Sequence, residues 1–496
     1  MRQSGLLLHI TSLPSPFGIG TMGKAARDFL DFLEKSGQSI WQVLPIGPTS
    51  YGDSPYQSFS SFAGNPYLID LDDLTQEGFL KQWEYASIHW GDDPGRVDYA
   101  VMYAHRDQVL RQAVKRLYAH LPEEFYKFRD EERGWLDDYA LFMAIKRAQG
   151  GQSWMYWPKA LRFREPDAMR EMREIHQQEI DYWCGVQYLF YRQYDALKQL
   201  SHKKGIRMLG DLPIYTAYDS ADVWASPEQF QLDEDLMPIE VAGCPPDSFS
   251  VTGQLWGNPL FDWDVMKRDG YQWWIRRIAF QFKIYDMLRM DHFRGFDAYY
   301  AIPNGDKTAE YGRWKPGPGL AFFERLEAQL GKCPMIAEDL GFITPSARKL
   351  QQDTGYPGMK VLQFAFDSRD ERNDFLPHLY GKNDAVYTGT HDNDTTLGWF
   401  QQADPKDVRY AVEYFRLTKA EGYHWGMICA ALGSVADYAI IPMQDLLGLG
   451  SEARMNTPST VGNNWKWRLP PGSYDPALSE KLYRKTEIYG RIHRGY

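Results

Sequence analysis

The sequence has few cysteines and no long hydrophobic run, and both absences narrow the class of protein. Four cysteines occur among 496 residues, far apart and without the CxxC spacing of a zinc site. So few thiols fit a reducing compartment, and we expect a cytoplasmic protein. Residues 6–10 are too short for the apolar core of a signal peptide, and no run of about 18 apolar residues predicts a membrane span.

An excess of positive charge is also missing. Lys and Arg total 55 against 66 Asp and Glu, a formal net charge of −11. We therefore predict no nucleic-acid partner, because an acidic surface repels phosphates.

Aromatic residues are plentiful, at 15% with 17 Trp and 32 Tyr. Their flat apolar faces and polar edges suit sugar rings as well as core packing. Composition therefore suggests carbohydrate without deciding it.

The hydrophobic pattern alternates between short apolar runs and amphipathic helices. A strand at 5–10, a helix at 24–36 and a strand at 40–46 form the first β–α–β unit. The pattern is mostly helical from 69 to 201, and alternation resumes at 206 with five more predicted strands, at 287–293, 334–340, 361–366, 385–390 and 438–442. The predicted intervening and closing helices cover 271–285, 320–330, 344–353, 407–416 and 481–489.

Eight predicted strands, mostly separated by helices, indicate an α/β protein with a (β/α)8 TIM barrel. An open doubly wound sheet is the structural alternative. We predict a barrel from residues 1–68 and 202–496, with active-site loop insertions at about 215–262 and 297–318. Residues 69–201 are predicted to form a mainly helical insertion subdomain.

Acidic residues recur at the carboxyl ends of the predicted strands. Asp211, Asp291, Glu338 and Asp392 each close or follow such a strand. Because that end of a β/α barrel carries the active site, we expect these acids to meet at one mouth. Capping of the following helices is the alternative for any single Asp. It is a poor explanation for the whole set, since Glu is not a preferred cap.

Two of these acids have neighbours that favour different protonation states. Arg289 and Asp291 are two residues apart on a strand, so both side chains face the same side, and the guanidinium is expected to lower the pKa of Asp291. Glu338 stands beside Asp339, and an acidic, partly buried setting would raise its pKa. An ionised nucleophile paired with a protonated acid is typical of glycoside chemistry.

Two other motifs have plainer interpretations. Residues 18–23 fit the GxGxxG pattern of dinucleotide-binding turns, but seven residues with two prolines separate them from the strand, which favours a barrel loop. His391, Asp392 and Asp394 lie close together without a second histidine at ligand spacing, which favours hydrogen bonding. We predict neither a metal nor a cofactor.

Several long motifs resemble 4-α-glucanotransferases of glycoside hydrolase family 77, also called amylomaltases or disproportionating enzymes, nearly end to end. They are YGDSPYQSFSSFAGNPY at 51–67, GDLPI at 210–214, RMDHFRG at 289–295, AEDLG at 337–341, GTHDND at 389–394 and RMNTP at 454–458. The resemblance implies an α-amylase-type barrel without a C-terminal β domain. It also implies maltooligosaccharides and other α-1,4-glucans as substrates and glucose as an acceptor.

The resemblance assigns a role to each acid. Asp291 would be the nucleophile, Glu338 the general acid and base, and Asp392 the group that stabilises the transition state. It implies substrate contacts from further residues: Arg289, His292, His391, Asp211, Tyr56, Ser54, Gln57, Trp256, Phe249, Asp339 and Asn456.

A flap over the site is implied for residues 245–259. Many relatives have an aromatic residue where this chain has Ser248 and Glu where it has Val251. These two differences concern how the flap binds glucan, and they do not involve the proposed catalytic acids.

The favoured function is transfer of an α-1,4-glucan segment to a 4-hydroxyl through a covalent glucosyl-enzyme. An α-amylase-type hydrolase would use the same acids and differ only in admitting water as the acceptor. A non-catalytic glucan-binding protein is the alternative from another class, and the complete set of acids argues against it.

Overall fold

Eight parallel strands form a closed barrel at the centre of the molecule. The computed structural model describes residues 2–246, 251–341, 343–367 and 373–492. The barrel runs in the order β1-β2-β3-β6-β9-β10-β11-β12 and closes by pairing of β12 with β1. Its strands are β1 Gln3–Leu7, β2 Ile40–Gln42, β3 Arg207–Leu212, β6 Met287–Met290, β9 Met335–Ala337, β10 Gly358–Val361, β11 Asp384–Tyr387 and β12 Tyr438–Pro442. The predicted (β/α)8 barrel is confirmed.

A second, antiparallel sheet lies outside the barrel and was not predicted. It has the order β5-β4-β7-β8, built from β4 Glu240–Cys244, β5 Gln254–Pro259, β7 Ala298–Pro303 and β8 Arg313–Pro316. The sequence pattern predicts these stretches as two separate loop insertions. They pair because β4 lies between β5 and β7, a long-range contact that no local pattern reveals.

The helices follow the strands around the barrel and fill the long connection between β2 and β3. They are α1 Lys24–Lys35, α2 Leu71–Gln76, α3 Tyr99–Ala119, α4 Glu123–Glu131, α5 Arg133–Ala148, α6 Lys159–Arg162, α7 Pro166–Ile175, α8 Gln177–Lys203, α9 Ala221–Ala225, α10 Trp263–Arg268, α11 Gln272–Ile284, α12 Leu320–Leu330, α13 Pro345–Thr354, α14 Thr396–Gln402, α15 Pro405–Phe415, α16 Tyr423–Gly433, α17 Met443–Leu447 and α18 Pro476–Ile488. Among the residues that the structure describes, no helix is both long and apolar enough to cross a membrane.

One hydrophobic core joins the barrel to the helices between β2 and β3. It contains barrel residues such as Leu288 and Ile440 together with Phe142 of α5 and Val186 of α8. Burial of these apolar side chains is the main force that holds the helical segment against the barrel.

One predicted strand is misplaced. The sequence pattern put a strand at 361–366, but β10 covers Gly358–Val361 and a 3-10 helix covers Leu362–Phe366. The apolar residues of this run are buried in either conformation, and periodicity cannot separate a short buried strand from a buried helical turn.

Candidate active site

Arg289 joins two carboxylates at the mouth of the barrel. Asp211 on β3 and Arg289 on β6 are direct partners in the parallel register. The Nη1 atom of Arg289 lies 2.8 Å from both carboxylate oxygens of Asp211 and 2.9 Å from Oδ1 of Asp291. The predicted common orientation of Arg289 and Asp291 is confirmed. The main chain just before Asp211 lies close to Tyr285. A Cβ on Gly210 would lie 2.2 Å from the ring of Tyr285, so this position requires glycine.

The net pKa shift of Asp291 is opposite to the prediction. Arg289 does lower the pKa of Asp291, but burial raises it by more, and the negative charges of Asp211 and Asp392 add to the rise. The sequence showed the neighbouring cation but not the loss of solvent around the carboxylate. The pKa of Asp291 is therefore raised, and its ionised form depends on the guanidinium.

Glu338 follows the neighbouring strand and lies beside Asp291. Met290 and Ala337 are partners in the pairing of β6 with β9, and the main-chain N–H of Glu338 donates to the carbonyl of Met290 at 3.0 Å. The two acids thus leave adjacent strands, which are about 4.8 Å apart in a sheet. The two carboxylates are close enough for the charge of Asp291 to raise the pKa of Glu338.

The carboxylate of Glu338 is buried and fixed by the main chain. It accepts hydrogen bonds from the N–H groups of His292 at 2.7 Å and Leu340 at 2.8 Å. Burial raises the pKa of Glu338, the charge of Asp291 raises it further, and Arg289 and the two N–H groups act in the opposite direction. The predicted upward shift is confirmed.

His292 has a backbone conformation that is uncommon for a residue with a side chain. Its φ is +48°, in the left-handed region, and such strain often accompanies functional sites. This conformation aims its N–H at Glu338. Its ring lies edge-on to Trp256, with centroids 5.0 Å apart. Burial lowers the pKa of His292 to about 3, so the ring is neutral.

Asp392 lies in the loop after β11 and is held by the segment after α17. The Nδ2 atom of Asn456 donates to Oδ1 of Asp392 at 2.6 Å, and Arg454 donates to the main-chain carbonyl of Asp392. The Nε2 atom of His391 lies 3.4 Å from the same Oδ1. The Asp392 side chain is 44% exposed, so its carboxylate remains open to the cleft.

The segment after β2 contributes Tyr56 to the same site. Its hydroxyl donates to Oδ2 of Asp211 at 2.8 Å, and its ring stacks on His391 at 5.2 Å. Ser54 instead accepts a hydrogen bond from the N–H of Tyr56 within a local turn. Gln57 donates to Asn258 at the end of β5. Tyr56 therefore joins the two sides of the barrel mouth.

Asp339 is placed differently from the predicted residues described above. Asp339 points away from Glu338, and its carboxylate accepts a hydrogen bond from the N–H of Met359 at 2.7 Å. Phe249 lies outside the described residues. Trp465 packs on Tyr56 and His391 and is not among the residues predicted from the sequence. Arg454 belongs to the RMNTP motif, so the motif itself was a signal for it, whereas nothing local marked Trp465.

No group of three or more His, Cys, Asp or Glu side chains within the described ranges is arranged to hold a metal ion. The cleft instead brings together a buried acid, a second acid bound to an arginine and a third, partly exposed acid at the carboxyl end of a β/α barrel. This fold and site define a class of enzymes that cleave and re-form glycosidic bonds.

Comparisons with known proteins identify the family. Residues 8–474 match the Glyco_hydro_77 family, described as 4-alpha-glucanotransferase. The chain is 47% identical over 486 residues to the 4-alpha-glucanotransferase of Clostridium butyricum, covering 98% of this chain and 100% of that one. It is 48% identical over 502 residues to the enzyme of that name from Thermus thermophilus, covering 99% of each chain.

Solved structures agree with the sequence comparison. The amylomaltase of Streptococcus agalactiae in complex with acarbose has a TM-score of 0.97 and 42% identity, covering 99% of this chain and 100% of that one. The amylomaltase of Corynebacterium glutamicum, at 19% identity and a TM-score of 0.77, shares the fold over 99% of this chain and 74% of its own. The chain belongs to the family of 4-alpha-glucanotransferases named above. It is an enzyme that transfers α-1,4-glucan segments between glucans.

Proposed function

We propose that Asp291 is the nucleophile and Glu338 the general acid and base of this transfer. In the first step an oxygen of Asp291 attacks the anomeric carbon of the donor sugar and forms an ester bond. The glycosidic bond breaks, and its oxygen takes the proton of Glu338 and departs with the reducing-end fragment. The observation that carries this assignment is the adjacency of the two acids at the ends of β6 and β9.

The surroundings of the two acids favour placing the shared proton on Glu338. Arg289 donates a hydrogen bond directly to Asp291, and a hydrogen bond to the charged form favours ionisation. Burial outweighs the effect of Arg289 at both acids, but Asp291 accepts a direct hydrogen bond from the guanidinium, whereas Arg289 acts on Glu338 through its charge. Asp291 is thus ready to attack while Glu338 is ready to donate.

Asp392 is assigned to the sugar ring rather than to bond making. Asn456 fixes one oxygen of its carboxylate, and the partly exposed group faces the cleft, where it would accept hydrogen bonds from ring hydroxyls. A carboxylate there also stabilises the positive charge that develops on the sugar in the transition state. Arg289, His292, His391, Tyr56 and Trp256 would orient the same sugar.

The second step transfers the glucan to an acceptor. The 4-hydroxyl of a glucan or of glucose attacks the anomeric carbon, its proton passes to the carboxylate of Glu338, and Asp291 is released. Two inversions give net retention. Acceptor binding favours this outcome over hydrolysis only if the closed cleft excludes water.

Buried thiols at Cys184 and Cys333 suit the reducing cytoplasm, where we place the protein.

Incubation with maltotriose and labelled glucose tests this acceptor assignment. We expect a ladder of glucans longer than maltotriose, with the label at the reducing end of the products, because glucose enters as the acceptor. Formation of shorter sugars alone, with unlabelled glucans, would identify a hydrolase instead. Chromatography of the products distinguishes the two outcomes, and a sample without added glucose provides the control for self-transfer.

A further inference from the structure

The loop that carries Asp392 is tied at both ends to one buried carboxylate, that of Asp445. This loop, residues 388–396, connects β11 to α14. The hydroxyl of Thr388 at its start donates to Oδ2 of Asp445, and the N–H of Thr396 at its end donates to Oδ1 at 2.6 Å. Asp445 lies in α17 and is 1% exposed.

Contacts inside the loop and with the segment after α17 hold its tip together. Oδ1 of Asn393 accepts hydrogen bonds from the N–H and the hydroxyl of Thr390, at 2.9 and 2.8 Å. Ser451 donates to Oδ2 of Asp394 at 2.7 Å. The tip is therefore a compact turn, and displacement of an end would move Asp392 with it.

Packing beneath the loop is incomplete. A cavity of about 20 Å³ lies there, lined among others by His9, His391, Asp394 and Asp445, and this volume is enough for about one water molecule. The side chains around the cavity leave this space open, and the hydrogen bonds to Asp445 hold the ends of the loop beside it.

Burial of a carboxylate without gain in packing is costly, so its presence needs another reason. Burial raises the pKa of Asp445, while the hydrogen bonds from Thr388 and Thr396 lower it. An apolar residue of similar size would remove the cost of burial and also the connection between the ends of the loop. Asp445 therefore contributes the connection between the ends of the loop rather than favourable packing.

We propose that Asp445 is a positioning residue for glucan transfer, which joins the ends of loop 388–396 and thereby sets where Asp392 meets the sugar ring. This inference rests on the proposed role of Asp392. Asp445 itself does not touch the substrate in this assignment. Its effect should therefore appear in the chemical step rather than in the affinity for glucan.

The variant Asp445→Asn keeps the size of the side chain but replaces one acceptor oxygen with an amide donor. Displacement of a reacting group by about 1 Å costs on the order of a hundredfold in rate. We expect kcat with maltotriose to fall ten- to a hundredfold, while KM changes by less than about threefold.

Asp70→Asn provides a matched control. Asp70 is also buried, and it accepts hydrogen bonds from the hydroxyl of Thr21 at 2.6 Å and the N–H of Asp73 at 3.0 Å. The donors are of the same two kinds, but Asp70 caps the N-terminus of α2 and makes no contact with the catalytic loop in these hydrogen bonds. This variant should lose stability without a comparable fall in kcat.

Thr388→Val and Thr388→Ser keep the inference testable if Asp445→Asn does not fold. Valine removes the hydroxyl with little change in shape and should lower kcat, whereas serine restores the donor and should recover most of it. The inference is overturned if folded Asp445→Asn or Thr388→Val keeps kcat within about twofold of the parent, or if only KM changes.

Asp392→Asn separates the positioning role of Asp445 from the proposed role of Asp392, because unchanged kcat in that variant would reject the role of Asp392 itself.

Discussion

The two sides of the cleft hold their acids by different physical means. On one side, which we call the charged half (Asp211, Arg289, Asp291 and Glu338), a single guanidinium lies among three carboxylates. On the other, the hydrogen-bonded half (His391, Asp392 and Asn456), an amide and an imidazole hold the acid. The contrast separates two needs: the nucleophile and the acid require tuned pKa values, and Asp392 requires a fixed position.

Solvent exposure follows the same division. Among the acids, the Asp211 and Asp291 side chains are 0% and 27% exposed, whereas that of Asp392 is 44% exposed. Charges interact more strongly where water is excluded, so the charged half can shift pKa values. In the hydrogen-bonded half Asp392 retains contact with solvent, and there geometry has more influence than charge.

The largest effect is expected from Asp291→Asn in the charged half. An amide cannot form the glucosyl ester, so the transfer rate should fall by at least about 10⁴-fold, with maltotriose binding retained in calorimetry. Asp167→Asn, at a site 89% exposed, is the control and should behave as the parent. Substantial turnover by Asp291→Asn would reject the assignment of the nucleophile.

A smaller effect with a pH signature is expected from Arg289→Met. Arg289 lowers the pKa of both Asp291 and Glu338, so its removal raises both values. The nucleophile then ionises only at higher pH, and the acidic limb of the kcat/KM profile should move upward. We also expect kcat to fall about 10²–10³-fold and the free energy of unfolding to fall by about 3–5 kcal/mol, because Asp211 and Asp291 lose their buried partner.

Arg277→Met separates the pH effect from simple destabilisation. Arg277 is equally buried, but it donates to the main-chain carbonyls of Pro213 and Ile214 beneath the cleft. Its loss should lower the melting temperature and leave the pH profile in place. If both variants moved the acidic limb alike, the contrast between the two halves would not hold.

The smallest effect is expected from Asn456→Ala in the hydrogen-bonded half. A hydrogen bond to a charged group contributes about 1.5–3 kcal/mol, so kcat should fall about ten- to a hundredfold. The pH profile should keep its position, because Asn456 carries no charge. Asn463→Ala, an exposed position in the same segment, is the control; a shifted pH limb in Asn456→Ala would contradict the division.

Short-range patterns explain which parts of the site could be predicted. Arg289 and Asp291 are two residues apart, so strand alternation alone put them on one side. The role of Asn456 as a partner of Asp392 could not be read in this way, because 64 residues separate the two. Asp339 shows the same limit: it is adjacent to Glu338 in sequence, yet strand alternation directs it toward Met359.

The order of strands and helices, the barrel and the acids near its carboxyl-terminal mouth were determined by the sequence, because hydrophobic periodicity and residue type are local properties. Tertiary structure decided the net pKa of Asp291, the antiparallel sheet beside the barrel and the connection of loop 388–396 to Asp445. Each of these depends on the exclusion of water or on contacts between distant residues, and neither exists until the chain has folded.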